Sequence, residues 1–403
     1  MPAREIRDQD AGADSSTRAL TYAAYVAFVP VGIVTVILGP MLPMLSARWS
    51  LNYSQAGALF TAQYLASTCA VAFSGVLSSR WGYRFAIKIG LVVMAGGVIF
   101  LLSGPRLLGI LCVFAYGAGQ GIAVPAANLL VSEANPRRRS ATLNLLNFFW
   151  SSGAVACPFL VAAAVKTHHI QLFLLLVGLF SIAVALGIAL MPTRMVQSAS
   201  PVGVATSKMA QGSLWRRPAF LILAALFFMY VGTENAFGGW VASYSRSLGS
   251  IAPAVSLMTA SFFYAALMLG RILAPLVLRR VHEVRLAQAG LLLACTGSAG
   301  LLFSRELPGV VASAVATGLG LSSVYPITIS LLSHQFGSAS SRIGSVMFTL
   351  SNVGGGLMPW TVGVSANRFG ALRVGMCVPV LGCAAMYAFF LRKWKHSSDE
   401  MVE

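Results

Sequence analysis

Twelve apolar stretches, each about twenty residues long, constrain this chain more than any other feature of its sequence. A helix of that length crosses the core of a bilayer and satisfies its own backbone hydrogen bonds there. The stretches run over residues 21–45, 54–78, 86–104, 107–132, 141–165, 171–191, 219–243, 254–278, 285–303, 308–333, 342–366 and 372–391. The alternating segments of a membrane β-barrel are absent from this pattern. The sequence therefore predicts an all-α membrane protein with twelve transmembrane helices.

The positive charge is distributed unevenly between the two sides of the predicted bundle. With both termini in the cytoplasm, 20 of the 28 lysines and arginines fall in inner loops and seven in outer loops. Cytoplasmic loops carry such an excess, so we predict an N-in, C-in topology. The net charge of +17 then reflects topology, and no nucleic-acid partner is expected. Residues 1–20 are polar and mixed in charge, so no cleavable signal peptide is expected either.

An internal repeat organises the chain. A Gly-x-Gly-x5-Pro motif at 117–125 recurs at 318–326, and a Gly-x4-Pro motif at 153–158 recurs at 354–359. Both pairs have an offset of 201 residues. Such matched glycines and prolines at one spacing indicate a duplication.

The duplication predicts two parallel bundles. Six helices return the chain to its starting side, so both halves begin in the cytoplasm. We predict a six-helix bundle over 1–191, a cytoplasmic linker over 192–217 and a second six-helix bundle over 218–403. Transporters built this way bind their substrate between the bundles at the membrane midplane. The expected partners are a small-molecule substrate and the lipid bilayer, and the protein is expected to be a monomer.

Two charged residues lie deep inside the predicted helices, Glu234 and Arg271. Glu234 is 17 residues from Arg217 and 12 from Arg246, about 25 Å and 18 Å along a helix. Because an unpaired charge in lipid is costly, a carboxylate at that depth faces a cavity or a partner. We predict that Glu234 binds substrate hydroxyls or carries a coupling ion. Arg271 lies only eight residues before Arg279, so its side chain is expected to reach toward the cytoplasm and serve as a gate.

Uncharged amides and aromatic rings within the predicted helices form a second set of candidates. Amides bind the hydroxyls of a carbohydrate, and aromatic rings stack on its C–H faces, so a mixed lining favours a neutral sugar. The predicted substrate-binding residues are Glu234, Asn235, Asn128, Gln120, Asn144, Asn147, Gln63, Tyr325, Asn352, Trp150 and Trp360. Asn144 and Asn147 share one stripe of the fifth predicted helix.

Basic residues at the inner ends of the helices are candidates for gating. Arg80 and Arg84 lie between the second and third predicted helices, and Arg271 lies before the loop that follows the eighth. Arginines in such places bind the terminal carbonyls of helices and interact favourably with the helix dipoles. Glu133 lies near the basic run 137–139 and is the predicted ion-pair partner there.

The loop sequence from Gly75 to Arg84 resembles the signature of the major facilitator superfamily between helices two and three. Within that superfamily the chain resembles the fucose permease and glucose transporter group. This resemblance rests on Ala126-Ala127-Asn128, on Tyr230-Val231-Gly232-x-Glu234, on Gly270-Arg271 and on Gly354-Gly355-Gly356 before Pro359. It implies sugar uptake coupled to protons or sodium, with no cofactor besides the coupling ion, in a bacterial inner membrane.

This sequence departs from the family pattern in places that bear on coupling. Ser79 occupies the place of a usual acid in the loop signature. The resemblance aligns Gly39 and Val124 with the acids that the fucose permease has in helices one and four, and Glu234 with its glutamine in helix seven. Coupling would therefore depend on Glu234 or be absent.

Several functions remain open at this point. A secondary active sugar transporter is the main prediction, with a drug or metabolite efflux antiporter and an uncoupled sugar facilitator as alternatives. Organic anion transport would need a cation at the midplane, and Arg271 is too near the inner edge for that by its sequence position. A membrane-embedded enzyme is not expected, because all five histidines lie at loop edges or in the tail.

Overall fold

The computed structural model of the protein describes residues 2–191, 218–336 and 340–391. Within those ranges the chain forms fifteen α-helices and one short 3₁₀ turn, with no β-strand. The helices are α1 (Pro2–Val36), α2 (Leu38–Arg48), α3 (Tyr53–Trp81), α4 (Tyr83–Ile99), α5 (Arg106–Ala134), α6 (Arg139–Lys166), α7 (Ile170–Leu190), α8 (Pro218–Ser247), α9 (Pro253–Val277), α10 (Glu283–Phe303), α11 (Leu307–Leu321), α12 (Val324–Phe336), α13 (Ser340–Phe369), α14 (Leu372–Gly375) and α15 (Cys377–Phe390). The predicted all-α class is confirmed.

Ten helical segments of the described chain are long and apolar enough to cross a membrane. Each coincides with one of the twelve predicted transmembrane stretches. The other two stretches, 86–104 and 342–366, also lie in helices, but α4 has only 17 residues and α13 is rich in serine, threonine and asparagine. The count of twelve and the N-in, C-in orientation stay predictions.

Each of three helix breaks is followed, three residues later, by a proline. Pro40 follows the break between α1 and α2, Pro326 the one between α11 and α12, and Pro379 the one between α14 and α15. Proline has no N–H to bond the carbonyl four positions earlier, which interrupts the helix ladder. Pro125, the repeat partner of Pro326, lies inside the unbroken α5. The repeats therefore share the proline but not the break.

The chain groups into two compact units. Within the described residues, the first comprises 2–35, 66–157 and 167–191, and the second 36–65, 158–166, 218–336 and 340–391. The second unit thus includes a segment from early in the sequence, Val36–Leu65, which we call the α2–α3 hairpin. The division into bundles 1–191 and 218–403 stays a prediction, and the predicted linker 192–217 lies outside the described residues.

Glycines bring helix backbones into direct contact in the first unit. A β-carbon built on Gly90 of α4 would lie 2.7 Å from the carbonyl oxygen of Gly119 in α5. One built on Gly153 of α6 would lie 2.1 Å from the carbonyl oxygen of Val29 in α1. No other residue fits such distances without movement of a backbone, and close approach of this kind drives helix association in lipid.

The same contacts recur in the second unit. A β-carbon on Gly290 of α10 would lie 2.5 Å from the carbonyl oxygen of Gly320 in α11, and one on Gly354 of α13 would lie 2.0 Å from that of Phe228 in α8. Gly320 and Gly354 follow the first-unit glycines of α5 and α6 by 201 residues. The repeat predicted from the sequence is therefore confirmed in the packing of corresponding helix pairs.

The α2–α3 hairpin packs against α8 and α13 through further glycines. A β-carbon on Gly39 of α2 would lie 3.0 Å from the α-carbon of Gly239 in α8. One on Gly57 of α3 would lie 2.9 Å from the α-carbon of Trp360 in α13. We call this backbone-to-backbone contact the hairpin seam.

The packing predicts different effects for two alanine substitutions. Gly354→Ala is expected to lower the melting temperature in detergent by several degrees, since overpacking typically costs about 1–3 kcal/mol. Gly187→Ala in α7 is the matched control, because a β-carbon there meets no atom within 4 Å. Alanine favours a helix over glycine, so the control should melt at or slightly above the wild-type temperature. Equal melting of both variants would contradict the close approach of α8 and α13.

Candidate functional site

The middle of α8 carries a buried carboxylate that is paired with an arginine of α9. Glu234 is 9% exposed, and Nη2 of Arg271 lies 3.4 Å from its Oε2. The same Nη2 donates to the Tyr230 hydroxyl at 3.2 Å. Tyr230 precedes Glu234 by four residues, so one face of α8 presents both groups to Arg271. The contact with Oε2 of Glu234 is long for a hydrogen bond, and attraction between opposite charges accounts for most of it.

The direction of the Arg271 side chain differs from the expectation drawn from the sequence. The guanidinium does not extend toward Arg279 but meets the carboxylate of Glu234. In an apolar surrounding, two opposite charges within reach stabilise each other, which favours pairing over separate solvation at the helix ends. The expectation that Arg271 lies too near the inner edge to meet a midplane group is therefore wrong. Its predicted gating role is not tested by this contact.

Aromatic rings flank the ion pair. Tyr325 of α12 stacks on Tyr230 with ring centroids 5.1 Å apart and planes at 29°. Phe227 meets the Tyr325 ring edge to face at 5.6 Å. Tyr230 is fully buried, whereas Tyr325 is half-buried. Such stacked rings offer an apolar face beside a charged pair.

Asn235 is held by a residue of the α2–α3 hairpin. The hydroxyl of Tyr64 donates to Oδ1 of Asn235 at 2.7 Å, and Nδ2 of Asn235 donates to the Val231 carbonyl at 2.8 Å. The Tyr64 ring lies against Gly355, where a β-carbon would approach it to 2.7 Å. Tyr64 was not among the predicted site residues, because a tyrosine in an apolar stretch resembles any packing residue. Its sequence neighbour Gln63, which was predicted, is buried.

A second polar cluster lies in the first unit, around Thr35. Its hydroxyl oxygen accepts hydrogen bonds from Nε2 of Gln120 and from Nε1 of Trp150, each at 3.2 Å. The Thr35 hydroxyl itself donates to the Val31 carbonyl at 2.7 Å. The structure thus brings together two predicted residues, Gln120 of α5 and Trp150 of α6, through a threonine of α1 that sequence analysis missed. A threonine in an apolar helix that donates to the carbonyl four residues earlier gives no distinctive sequence signal.

The remaining predicted binding residues do not join these clusters through the hydrogen bonds described above. Asn128 donates to the Val124 carbonyl, and Asn147 donates to the Leu143 carbonyl, so each amide bonds its own helix. Asn144 is exposed, Asn352 is half-buried and Trp360 is 38% exposed. Their assignment to substrate binding stays a prediction.

Arg84 binds the carboxyl end of a neighbouring helix. Its Nη2 donates to the carbonyls of Ile188 and Met191, at 2.7 Å and 2.6 Å. A cation there provides hydrogen bonds to carbonyls that lack helical partners, and it interacts favourably with the helix dipole. In the second unit, Nε2 of Gln288 in α10 donates to the Phe390 carbonyl near the end of α15 at 2.8 Å. The corresponding helix ends are therefore bound in both units.

The other gating candidates have local contacts. The guanidinium of Arg80, which is exposed, lies 5.1 Å from the ring centroid of Trp81. Glu133 accepts a hydrogen bond from the Tyr83 hydroxyl at 2.7 Å. The Arg137 side chain lies outside the described part of the structure, so the pairing of Glu133 with the basic run 137–139 stays a prediction.

The sequence profile of the Major Facilitator Superfamily matches residues 24–359. The chain belongs to this superfamily. A major facilitator chain with the helical segments found here is a multi-pass integral membrane transporter rather than an enzyme.

Several relatives and solved structures are similar to this chain over nearly its whole length. The glucose/galactose transporter of Brucella abortus is 26% identical over 386 residues, spanning 89% of this chain and 90% of its own length. The crystal structure of a D-xylose-proton symporter has a TM-score of 0.75 at 15% identity, covering 92% of this chain and 97% of that one. The E. coli fucose:proton symporter has a TM-score of 0.63 at 18% identity, covering 93% and 97%. These structures show that the two proteins share the fold of this chain.

The Thr35 cluster predicts a difference between two substitutions of one hydroxyl. Thr35→Val keeps the shape but removes the acceptor shared by Gln120 and Trp150, and loss of a buried partner costs about 1–3 kcal/mol. Thr35→Ser keeps the hydroxyl and is expected to melt close to the wild type. Melting of the two detergent-purified variants, followed by tryptophan fluorescence, measures the difference. Equal stability of both would exclude a structural role for the shared hydrogen bonds.

Proposed function

We propose that this protein moves a small, sugar-like solute across the membrane by alternating access, with a proton or sodium ion coupled through Glu234. The buried carboxylate of Glu234 in the middle of α8 carries the proposal. In lipid an acid at such depth is expensive and marks an ion or substrate pathway. Beside it are an arginine, stacked tyrosine rings and the Asn235 amide, which supply donors, acceptors and an apolar face.

The comparisons support a sugar as the solute class. A relative that covers most of this chain is a glucose/galactose transporter. Two proteins with this fold are a D-xylose-proton symporter and a fucose:proton symporter. Polar groups beside aromatic rings, as found at Glu234 and at Thr35, suit a ring that has hydroxyl edges and C–H faces.

The organisation that we propose follows from the repeat and from the charge distribution. Two six-helix bundles over 1–191 and 218–403, joined by a cytoplasmic linker, would rock against each other with both termini inside. The functional unit would be a monomer in a bacterial inner membrane. An efflux antiporter and an uncoupled facilitator are the competing functions.

Replacement of the proposed coupling acid tests this function. Glu234→Gln keeps the size and one acceptor oxygen but loses the charge. In proteoliposomes, the wild type is expected to accumulate a labelled monosaccharide, drawn from a panel of glucose, galactose and their acids, when a proton or sodium gradient is imposed. The variant should lose this accumulation at least tenfold while it still exchanges sugar across the membrane without a gradient.

Glu306→Gln is the matched control, because Glu306 is an exposed acid at the start of α11. It should accumulate sugar as the wild type does. Gradient-driven accumulation by Glu234→Gln at the wild-type rate would remove Glu234 from coupling. Wild-type uptake that ignores every gradient would indicate a facilitator, and export of lipophilic cations without sugar uptake would indicate the efflux function.

A further inference from the structure

The charges around Glu234 balance only while its carboxylate is ionised. Arg271 from α9 supplies the positive charge. The other titratable groups that interact electrostatically with the carboxylate are Tyr230 of α8, Tyr325 of α12 and Tyr64 of α3. Tyrosines ordinarily ionise near pH 10, so they add no charge at neutral pH. The described groups around the site therefore sum to zero, with one acid and one base.

Coupling through Glu234 removes this balance. When a proton binds its Oε2, or a sodium ion lies beside it, the acid no longer neutralises Arg271. A guanidinium does not release its own proton in a protein. An arginine whose side chain is three-quarters buried and has no anion beside it is unfavourable, because its desolvation has no compensation. The loaded state therefore requires a negative charge from elsewhere, and the solute is the component that arrives with it.

Arg271 has the free donors that a second anion needs. Only Nη2 donates in the described structure, and its hydrogen bond to Glu234 is long at 3.4 Å. The Nε and Nη1 groups have no described acceptor. The Arg271 side chain is also 25% exposed, against 11% for that of Glu234. A carboxylate binds a guanidinium through two parallel N–H donors. The Nε and Nη1 groups of Arg271 can supply such donors.

We propose that the transported solute is a sugar acid, a monosaccharide that carries one carboxylate. This inference rests on the proposed function and narrows its substrate class. In the loaded state the solute carboxylate takes the place of Glu234 on Arg271, and the sugar ring lies against the half-buried Tyr325. The proton bound by Glu234 comes from the aqueous side where the solute enters and leaves with it. One proton and one anion then cross together.

Ligand binding by the purified wild-type protein tests the substrate class directly. Sodium glucuronate and galacturonate are compared with glucose and galactose by thermal shift at constant ionic strength, with acetate as the carboxylate without a ring. We expect the two uronates to bind at least tenfold more tightly than the neutral sugars. Acetate should bind weakly.

Three variants separate the roles of the two charges. Glu234→Gln removes the competing carboxylate from Arg271 and should bind glucuronate more tightly than the wild type does at the same pH. Arg271→Gln should lose at least tenfold in uronate affinity. Arg271→Lys should lose part of it, because an ammonium lacks the two parallel donors. Arg285→Gln, which removes an exposed positive charge at the start of α10, is the matched control and should bind like the wild type.

The outcomes distinguish this inference from the proposed function. Tight binding of glucose or galactose, with no preference for their acids, overturns the sugar-acid inference and leaves the proposed function standing. Unchanged uronate affinity in Arg271→Gln overturns it as well. Binding of neither class overturns both. If Arg271→Gln does not fold, the comparison of ligands in the wild type still decides the matter.

Discussion

Direct backbone contact between helices is the constraint on which the rest of this structure depends. Lipid tails are as apolar as leucine, so membrane helices associate by close packing rather than by burial from water. In this chain, glycines permit that packing at corresponding positions of the two repeats, on α5 and α6 and again on α11 and α13. Helices fixed in this way hold polar side chains at set positions, and the ion pair of α8 and α9 needs that support.

Electrostatics then selects which polar residues meet. Glu234 and Arg271 are separated by 37 residues in the sequence. Each charge nevertheless offsets the desolvation cost of the other where the two side chains meet. Their contact makes α8 and α9 partners in charge as well as in packing. The Thr35 cluster shows the same logic without charge, since one hydroxyl serves donors from two other helices of its unit.

The sequence predicts the features that depend on composition and periodicity. Hydropathy gave the helical stretches, and the glycine and proline offset gave the repeat that the packing shows. The sequence does not predict a contact that depends on side-chain direction. Distance along the helix suggested that Arg271 extends toward the cytoplasm, whereas its guanidinium meets Glu234. The hydrogen bonds of Thr35 and Tyr64 could not be predicted, because they form only when helices distant in the sequence meet. Pro125 and Pro326 show the same limit, since the shared Gly-x-Gly-x5-Pro motif leaves one helix whole and accompanies a break in the other.

The hairpin seam has a consequence for the permeability of the protein to ions. Where Gly39 and Gly57 bring their helices against α8 and α13, the gap is smaller than a methyl group. No water molecule fits such a gap, and a hydrated ion needs still more room. Within its unit, the hairpin seam is therefore closed to water and to hydrated ions.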